Sequence, residues 1–145
     1  MCGIGGVVGF NDWKPSEKLI EGLFTENLAR GRDAAGIGYI LGGEMRVVKQ
    51  PGPATALVEK LKTEHLFDEI TSSSIVTIHT RFKTQGDTKN NDNNHPVTVG
   101  RWTVVHNGHV LNDDEIFTHF DTERCAEVDT EAIPLALQKE GISGL

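Results

Sequence analysis

Met1-Cys2-Gly3-Ile4-Gly5-Gly6-Val7-Val8-Gly9 opens the chain, and its second residue decides how the rest is read. Cys2 to Gly9 reads as a strand, rich in valine and glycine. Its thiol lies one peptide bond from the start of the polypeptide. Removal of an initiator methionine requires a small second residue, and cysteine qualifies, so loss of Met1 makes Cys2 the terminus. A free α-amine has a pKa of about 7.7 to 8.0, so near neutral pH part of it is unprotonated. It can then take the proton of its own side chain, which puts nucleophile and base on one residue. Glycines around the thiol admit close approach by a substrate. The same residues also suit a buried edge strand whose second residue happens to be cysteine, and both descriptions stand at this point.

Working outward, 145 residues correspond to one domain with one core. The formal charge of -7 repels nucleic-acid phosphates and anionic lipid heads, so no nucleic-acid partner is expected. No apolar run reaches the ~18 residues of a membrane span, and the start lacks the basic and apolar segments of a signal peptide. A soluble, cytoplasmic protein is expected. Two cysteines, Cys2 and Cys125, are too few for a disulfide framework and fit a reducing compartment, with Cys125 an ordinary thiol.

Beyond Gly9, Pro15 sits near a helix start, and Leu19, Ile20, Leu23, Phe24 and Leu28 recur at helical spacing until Arg30-Gly31. That helix should bury one face on a sheet. Residues 36–41 and 44–50 read as two strands joined by Gly42-Gly43, a two-residue turn that accepts positive φ. Pro51-Gly52-Pro53 breaks the strand, and a helix follows through Leu57, Val58 and Leu61. Residues 74–80 alternate β-branched side chains as a strand does. The polar stretch from Lys83 to His95, with Asn90-Asn91-Asp92-Asn93-Asn94 at its centre, reads as a surface loop; its ends can carry binding residues, and its middle suits plain solvation. A strand over 101–106, a turn at Asn107-Gly108, a helix from near Asn112, and a helix from Thr130 that Pro134 kinks or divides complete the chain. The sum is about five strands and four helices in a mixed arrangement.

Three stretches could complete a site for Cys2. In His79-Thr80-Arg81-Phe82-Lys83-Thr84-Gln85-Gly86 a strand runs into a loop and delivers an arginine, which can hold a carboxylate through two parallel hydrogen bonds or simply form a surface ion pair. In His106-Asn107-Gly108 a side-chain amide beside a glycine N–H supplies two donors to one space, as an oxyanion hole requires, although Asn-Gly is also a common hairpin turn. In Val128-Asp129-Thr130-Glu131 the aspartate precedes a helix, as an N-cap does, or faces a ligand amine.

Together these stretches resemble the class II glutamine amidotransferase domain, the cysteine branch of the N-terminal-nucleophile hydrolases. The resemblance is carried by Met1-Cys2-Gly3-Ile4-Gly5-Gly6, Arg30-Gly31-Arg32-Asp33-Ala34-Ala35-Gly36, His79-Thr80-Arg81 with Thr84 and Gly86, Asn94-His95-Pro96, His106-Asn107-Gly108 and Asp129-Thr130-Glu131, in order across nearly the whole chain. It implies an α+β fold, a four-layer αββα sandwich of two mainly antiparallel sheets with helices outside. Members of the family run on for several more strands after the helix that ends here near Gly141, and many continue into a synthetase or transferase domain. The expectation is therefore a glutaminase domain over residues 1–145 that is short at its C-terminal end.

Carried over residue by residue, the resemblance makes Cys2 the nucleophile toward the side-chain amide of L-glutamine, with its own α-amine as base. Asn107 and the Gly108 N–H would stabilise the oxyanion. Arg81, Thr84 and Gly86 would bind the substrate, Arg81 at its α-carboxylate, and Asp129 would hold its α-ammonium. Arg30, Asp33, His79 and His106 take supporting roles. No cofactor is implied, and ammonia would pass to an acceptor on a partner synthetase or transferase or on a further domain. Phe82 replaces a frequent tryptophan, and Gln85 the histidine of sugar-phosphate amidotransferases; these departures argue against the glucosamine-forming subfamily. His95, His106 and His109 fall within fifteen residues, but without zinc-type spacing they give no metal site. Two alternatives remain: a hydrolase of another γ-glutamyl amide, and a catalytically silent binding or assembly module of the same fold.

Overall fold

The computed structural model describes residues 1–142, so Leu145 and the two residues before it lie outside the described residues. Four strands form the main sheet: β1 (Gly3–Val8), β2 (Ala34–Leu41), β3 (Glu44–Pro51) and β4 (Ile75–Arg81). Their order is β1-β4-β2-β3, every pair antiparallel. The β2–β3 hairpin turns at Gly42 and Gly43, whose φ angles of 61° and 85° suit the twist of the flanking strands.

Alternation along the strands divides their side chains between two faces. One carries Ala35, Ile37, Tyr39, Val76 and Ile78, all buried against Ile20 and Phe24 of α1 (Glu17–Asn27), Leu57 and Leu61 of α2 (Ala54–Thr63), and Phe67 and Ile70 of α3 (Phe67–Ser72). Ser16 caps α1 by accepting the Leu19 N–H at 3.2 Å, which starts the helix where its apolar spacing begins. Full burial of each such side chain contributes about 1.5 to 3 kcal/mol, so this layer is the main source of stability.

Over the opposite face lies a second sheet of two strands, β5 (Val97–Val99) and β6 (Trp102–Val104), backed by α4 (Asp113–His119) and α5 (Ala132–Glu140). The layer order is helix, sheet, sheet, helix, the expected α+β sandwich. The segment leading into β5 lies close against β2 because Gly36 has no side chain: a Cβ there would run into the carbonyl of His95. The second sheet is narrow, and Ile4, Val8 and Ile75 on the facing side of β1 and β4 stay 44%, 59% and 38% exposed.

Several expectations change. The described residues hold six strands and five α-helices, more than the sequence pattern counted, because α3 and β5 are too short to show a period. The strand expected over 101–106 shrinks to Trp102–Val104. Pro134 neither kinks nor divides its helix: α5 begins at Ala132, so the proline falls in the first turn, where its missing N–H has no partner to lose. The polar loop is not simply solvated, since Asn93 and Asn94 are fully buried.

Candidate active site

Sheet register brings the two ends of the site together. Gly3 pairs with Thr80, so Cys2 lies beside the step from Arg81 to Phe82. The Phe82 N–H donates to Cys2 Sγ at 3.4 Å, and the thiol faces the Phe82 carbonyl at 3.6 Å. A backbone N–H aimed at sulfur strengthens as the sulfur gains negative charge. Cys2, Arg81, Thr84, Asn107, Gly108 and Asp129 all line one cleft of about 320 Å³.

Asn107 crosses this cleft and donates its side-chain N–H to the carbonyl of Cys2 at 3.1 Å. Two histidines fix the residue before it. His79, fully buried on β4, makes a 3.2 Å contact from Nε2 to the carbonyl of His106; a carbonyl only accepts, so His79 carries its proton on Nε2. His106 Nδ1 meets the Thr130 hydroxyl at 3.2 Å. A Cβ on Gly108 would come within 2.6 Å of His106 Nε2, so any side chain there requires the His106 ring to shift.

Arg81 ends β4 almost fully buried. It donates to Asn94 Oδ1 at 2.7 Å and to the carbonyls of Gln85 and Gly86, the latter at 3.3 Å. Thr84 sits exposed on the same turn. Asp33 accepts the Lys83 N–H at 2.7 Å, and its own N–H donates to the Arg81 carbonyl at 3.0 Å, so it braces the turn from outside the cleft. Arg30 is exposed after α1, does not line the cleft, and its side chain makes no hydrogen bond or ion pair among the described residues. Asp129 is no helix cap: its Oδ2 accepts the Val110 N–H at 2.7 Å and meets His109 Nδ1 at 3.0 Å, leaving Oδ1 without a protein partner among the described residues.

Burial dominates the electrostatics behind the cleft. It holds His79 at about 4, with Arg81 and His106 adding to the effect, and His95 at about 2, where His79, Arg81 and His106 also oppose a charge. The rings of His79 and His95 meet edge to face at 4.1 Å. Both are depressed below an unfolded value of about 6.5, so the unfolded chain binds the extra protons. Their contribution to stability is complete above pH ~6.5 and declines as pH falls, toward 4 for His79 and 2 for His95. Thermal melts should give a flat Tm from pH 8 to 7 and a fall below 6.5, with a shallower fall in His95→Asn; a Tm unchanged down to pH 4.5 would refute neutral burial.

No family model matches the chain. It is 37% identical over 138 residues to glutamine–fructose-6-phosphate aminotransferase [isomerizing] of Staphylococcus epidermidis, covering 92% of this chain and 21% of that protein. The enzyme of the same name from Bacillus anthracis is 35% identical over 149 residues, covering 100% of this chain and 23% of the relative. The fold matches glutamine phosphoribosylpyrophosphate (PRPP) amidotransferase from B. subtilis, complexed with ADP and GMP, with a TM-score of 0.70 at 17% identity, over 97% of this chain and 30% of that one. The chain belongs to the class II glutamine amidotransferases.

This amidotransferase chain thus spans about a fifth of the length of the curated relatives it matches. Phe82 and Gln85 argue against the glucosamine-forming subfamily on two positions, and the 138-residue likeness to fructose-6-phosphate aminotransferases lends that argument no support. Among the described residues of the amidotransferase, no helix is long and apolar enough to cross a membrane. The sequence pattern gave no role to Asn93, Glu127 or Glu131, yet all three organise the loops around the cleft. Asn93 exchanges hydrogen bonds with Glu127, at 2.7 Å from its N–H and 2.7 Å to its carboxylate. Buried Glu131 accepts the N–H groups of Cys125 and Ala126 at 3.0 and 2.8 Å. A carboxylate five or six residues from the backbone it ties down leaves no periodic signal.

Proposed function

We propose that residues 1–145 act as a cytoplasmic glutaminase domain that hydrolyses L-glutamine to glutamate and ammonia, and that the ammonia passes to an acceptor held by a partner or a further domain. The observation that supports it best is the convergence of Cys2, Arg81, Asn107, Gly108 and Asp129 on one cleft of about 320 Å³.

Loss of Met1 frees the α-amine of Cys2, which takes the thiol proton as Sγ attacks the side-chain carbonyl carbon of glutamine. The π electrons of that carbonyl move to oxygen, and the Asn107 side chain and Gly108 N–H stabilise the resulting oxyanion. Asn107 already spends one N–H on the Cys2 carbonyl, so its second N–H serves this purpose. The intermediate collapses, the C–N bond breaks, and the amine returns its proton to the departing ammonia. Water, deprotonated by the same amine, cleaves the thioester to release glutamate. Arg81, with Thr84 and the Gly86 turn, receives the α-carboxylate, and Asp129 Oδ1 the α-ammonium. Asp33, His79 and His106 support these groups from outside the reaction, whereas Arg30, expected in the same role, makes no side-chain contact with them among the described residues.

The test is an intact mass before and after incubation with an electrophilic glutamine analogue. Loss of Met1 and one adduct mapped to Cys2, blocked by excess glutamine, is the expected result. No adduct on a folded, processed chain would instead favour the silent module of the same fold.

A further inference from the structure

The guanidinium of Arg81 is nearly enclosed, yet among the described residues no carboxylate lies within ion-pair distance of it. Buried charges are ordinarily paired, because removing an ion from water without compensation costs several kcal/mol. All the acceptors of Arg81 are neutral: Asn94 Oδ1 and the carbonyls of Gln85 and Gly86. Asp33, Asp87 and Glu127 favour the Arg81 charge from a distance, but the hydrogen bonds they accept come from other groups, Asp87 from Lys89 N. Asp33 accepts from Lys83 N, and Glu127 from Asp87 N and Asn93 Nδ2.

Asn94 is itself fixed. It is fully buried, and its Nδ2 donates to the Thr88 carbonyl at 2.7 Å and to Asn91 Oδ1 at 3.0 Å. Both partners only accept in these contacts, so the amide cannot flip, and Oδ1 must face Arg81. A guanidinium has five N–H groups, and these three acceptors leave at least two free. The arginine is aimed by hydrogen bonds that orient it without neutralising it.

We propose that Asn94 is a positioning and specificity-determining residue: its locked amide holds Arg81 in place while leaving the guanidinium without a carboxylate in contact, so that the cleft selects substrates carrying one. This deepens the carboxylate role proposed for Arg81 and rests on it. An aspartate at the same position would present an anion to Arg81 and close the site electrostatically with little change in shape. An alanine would remove the aim but leave the charge.

The experiment follows the Arg81 guanidinium by NMR in full-length protein labelled with 15N-arginine, titrated with acetate and with L-glutamate. In the parent, Arg81 signals should shift with both anions. In Asn94→Asp the acetate response should weaken by at least about tenfold, the scale of one charge-assisted hydrogen bond. In Asn94→Ala the Arg81 signals should broaden and the acetate response weaken less than in the aspartate variant. Loss of two donors next to carbonyls could prevent Asn94→Asp from folding, which thermal melts report; the broadening and weaker response of Asn94→Ala then decide alone. Unchanged titrations in the folded variants, or a parent Arg81 that ignores acetate, overturn the proposal. Glutamine turnover on the same samples separates the two readings, because an idle parent whose Arg81 still answers acetate in this graded way sinks the hydrolysis and supports the role of Asn94.

Discussion

Cys2→Ala should abolish glutamine hydrolysis, a loss of about 10⁵-fold or more if nucleophile and base act as a unit. The second thiol offers no substitute. Cys125 is exposed beside a different cavity, and Glu131 pushes its thiol pKa up. Little structure should be lost with the sulfur, since Cys2 is only half-buried and, among the described residues, its Sγ has hydrogen bonds only to Phe82, both long. Ammonia release and a thermal melt on the same preparation check both halves. Activity equal to the parent's would sink the thioester route.

The next largest effect is expected at Asn107. Asn107→Ala removes one of two proposed oxyanion donors, which should lower kcat by about 10² to 10³, or about 3 to 4 kcal/mol, while KM for glutamine changes little. The split matters because Asn107 also holds the Cys2 carbonyl. If that tether were its whole contribution, the variant would misplace the thiol in substrate binding and reaction alike, and KM would move with kcat. A raised KM at unchanged kcat would assign Asn107 to ground-state binding and remove it from the oxyanion hole.

Legibility in the sequence followed the range of the interactions concerned. The β2–β3 hairpin was readable because Gly42-Gly43 writes its own turn, and α1 because Ile20, Leu23, Phe24 and the C-cap Leu28 repeat one packed face, although Leu19 of the same pattern stays exposed. The strand carrying Cys2 and the strand ending in Arg81 were each visible, but nothing local states that they are neighbours, since Gly3 meets Thr80 across the sheet. The run Asn90-Asn91-Asp92-Asn93-Asn94 misled for a physical reason. Polar composition signals a solvated loop when its groups bond water, and here the buried Asn93 and Asn94 bond the main chain of Asp87, Thr88 and Glu127 and the side chain of Arg81 instead. Likewise Pro134 reads as a breaker until the start of α5 is located two residues before it.

One consequence follows from the place of β1 at the border of the sheet, hydrogen-bonded to β4 alone. Its residues Ile4 and Val8, on the side facing the second sheet, remain accessible, so its hold on the domain rests on the pairing with β4 and the packing against α1. Fraying of a border strand is a local equilibrium whose free energy lies well below that of global unfolding. Each such opening carries the proposed nucleophile away from Asn107 and Arg81 while the helix-backed core stays intact. An assembled site thus requires the six residues of β1 to stay paired with β4, a condition separate from the integrity of the helix-backed core.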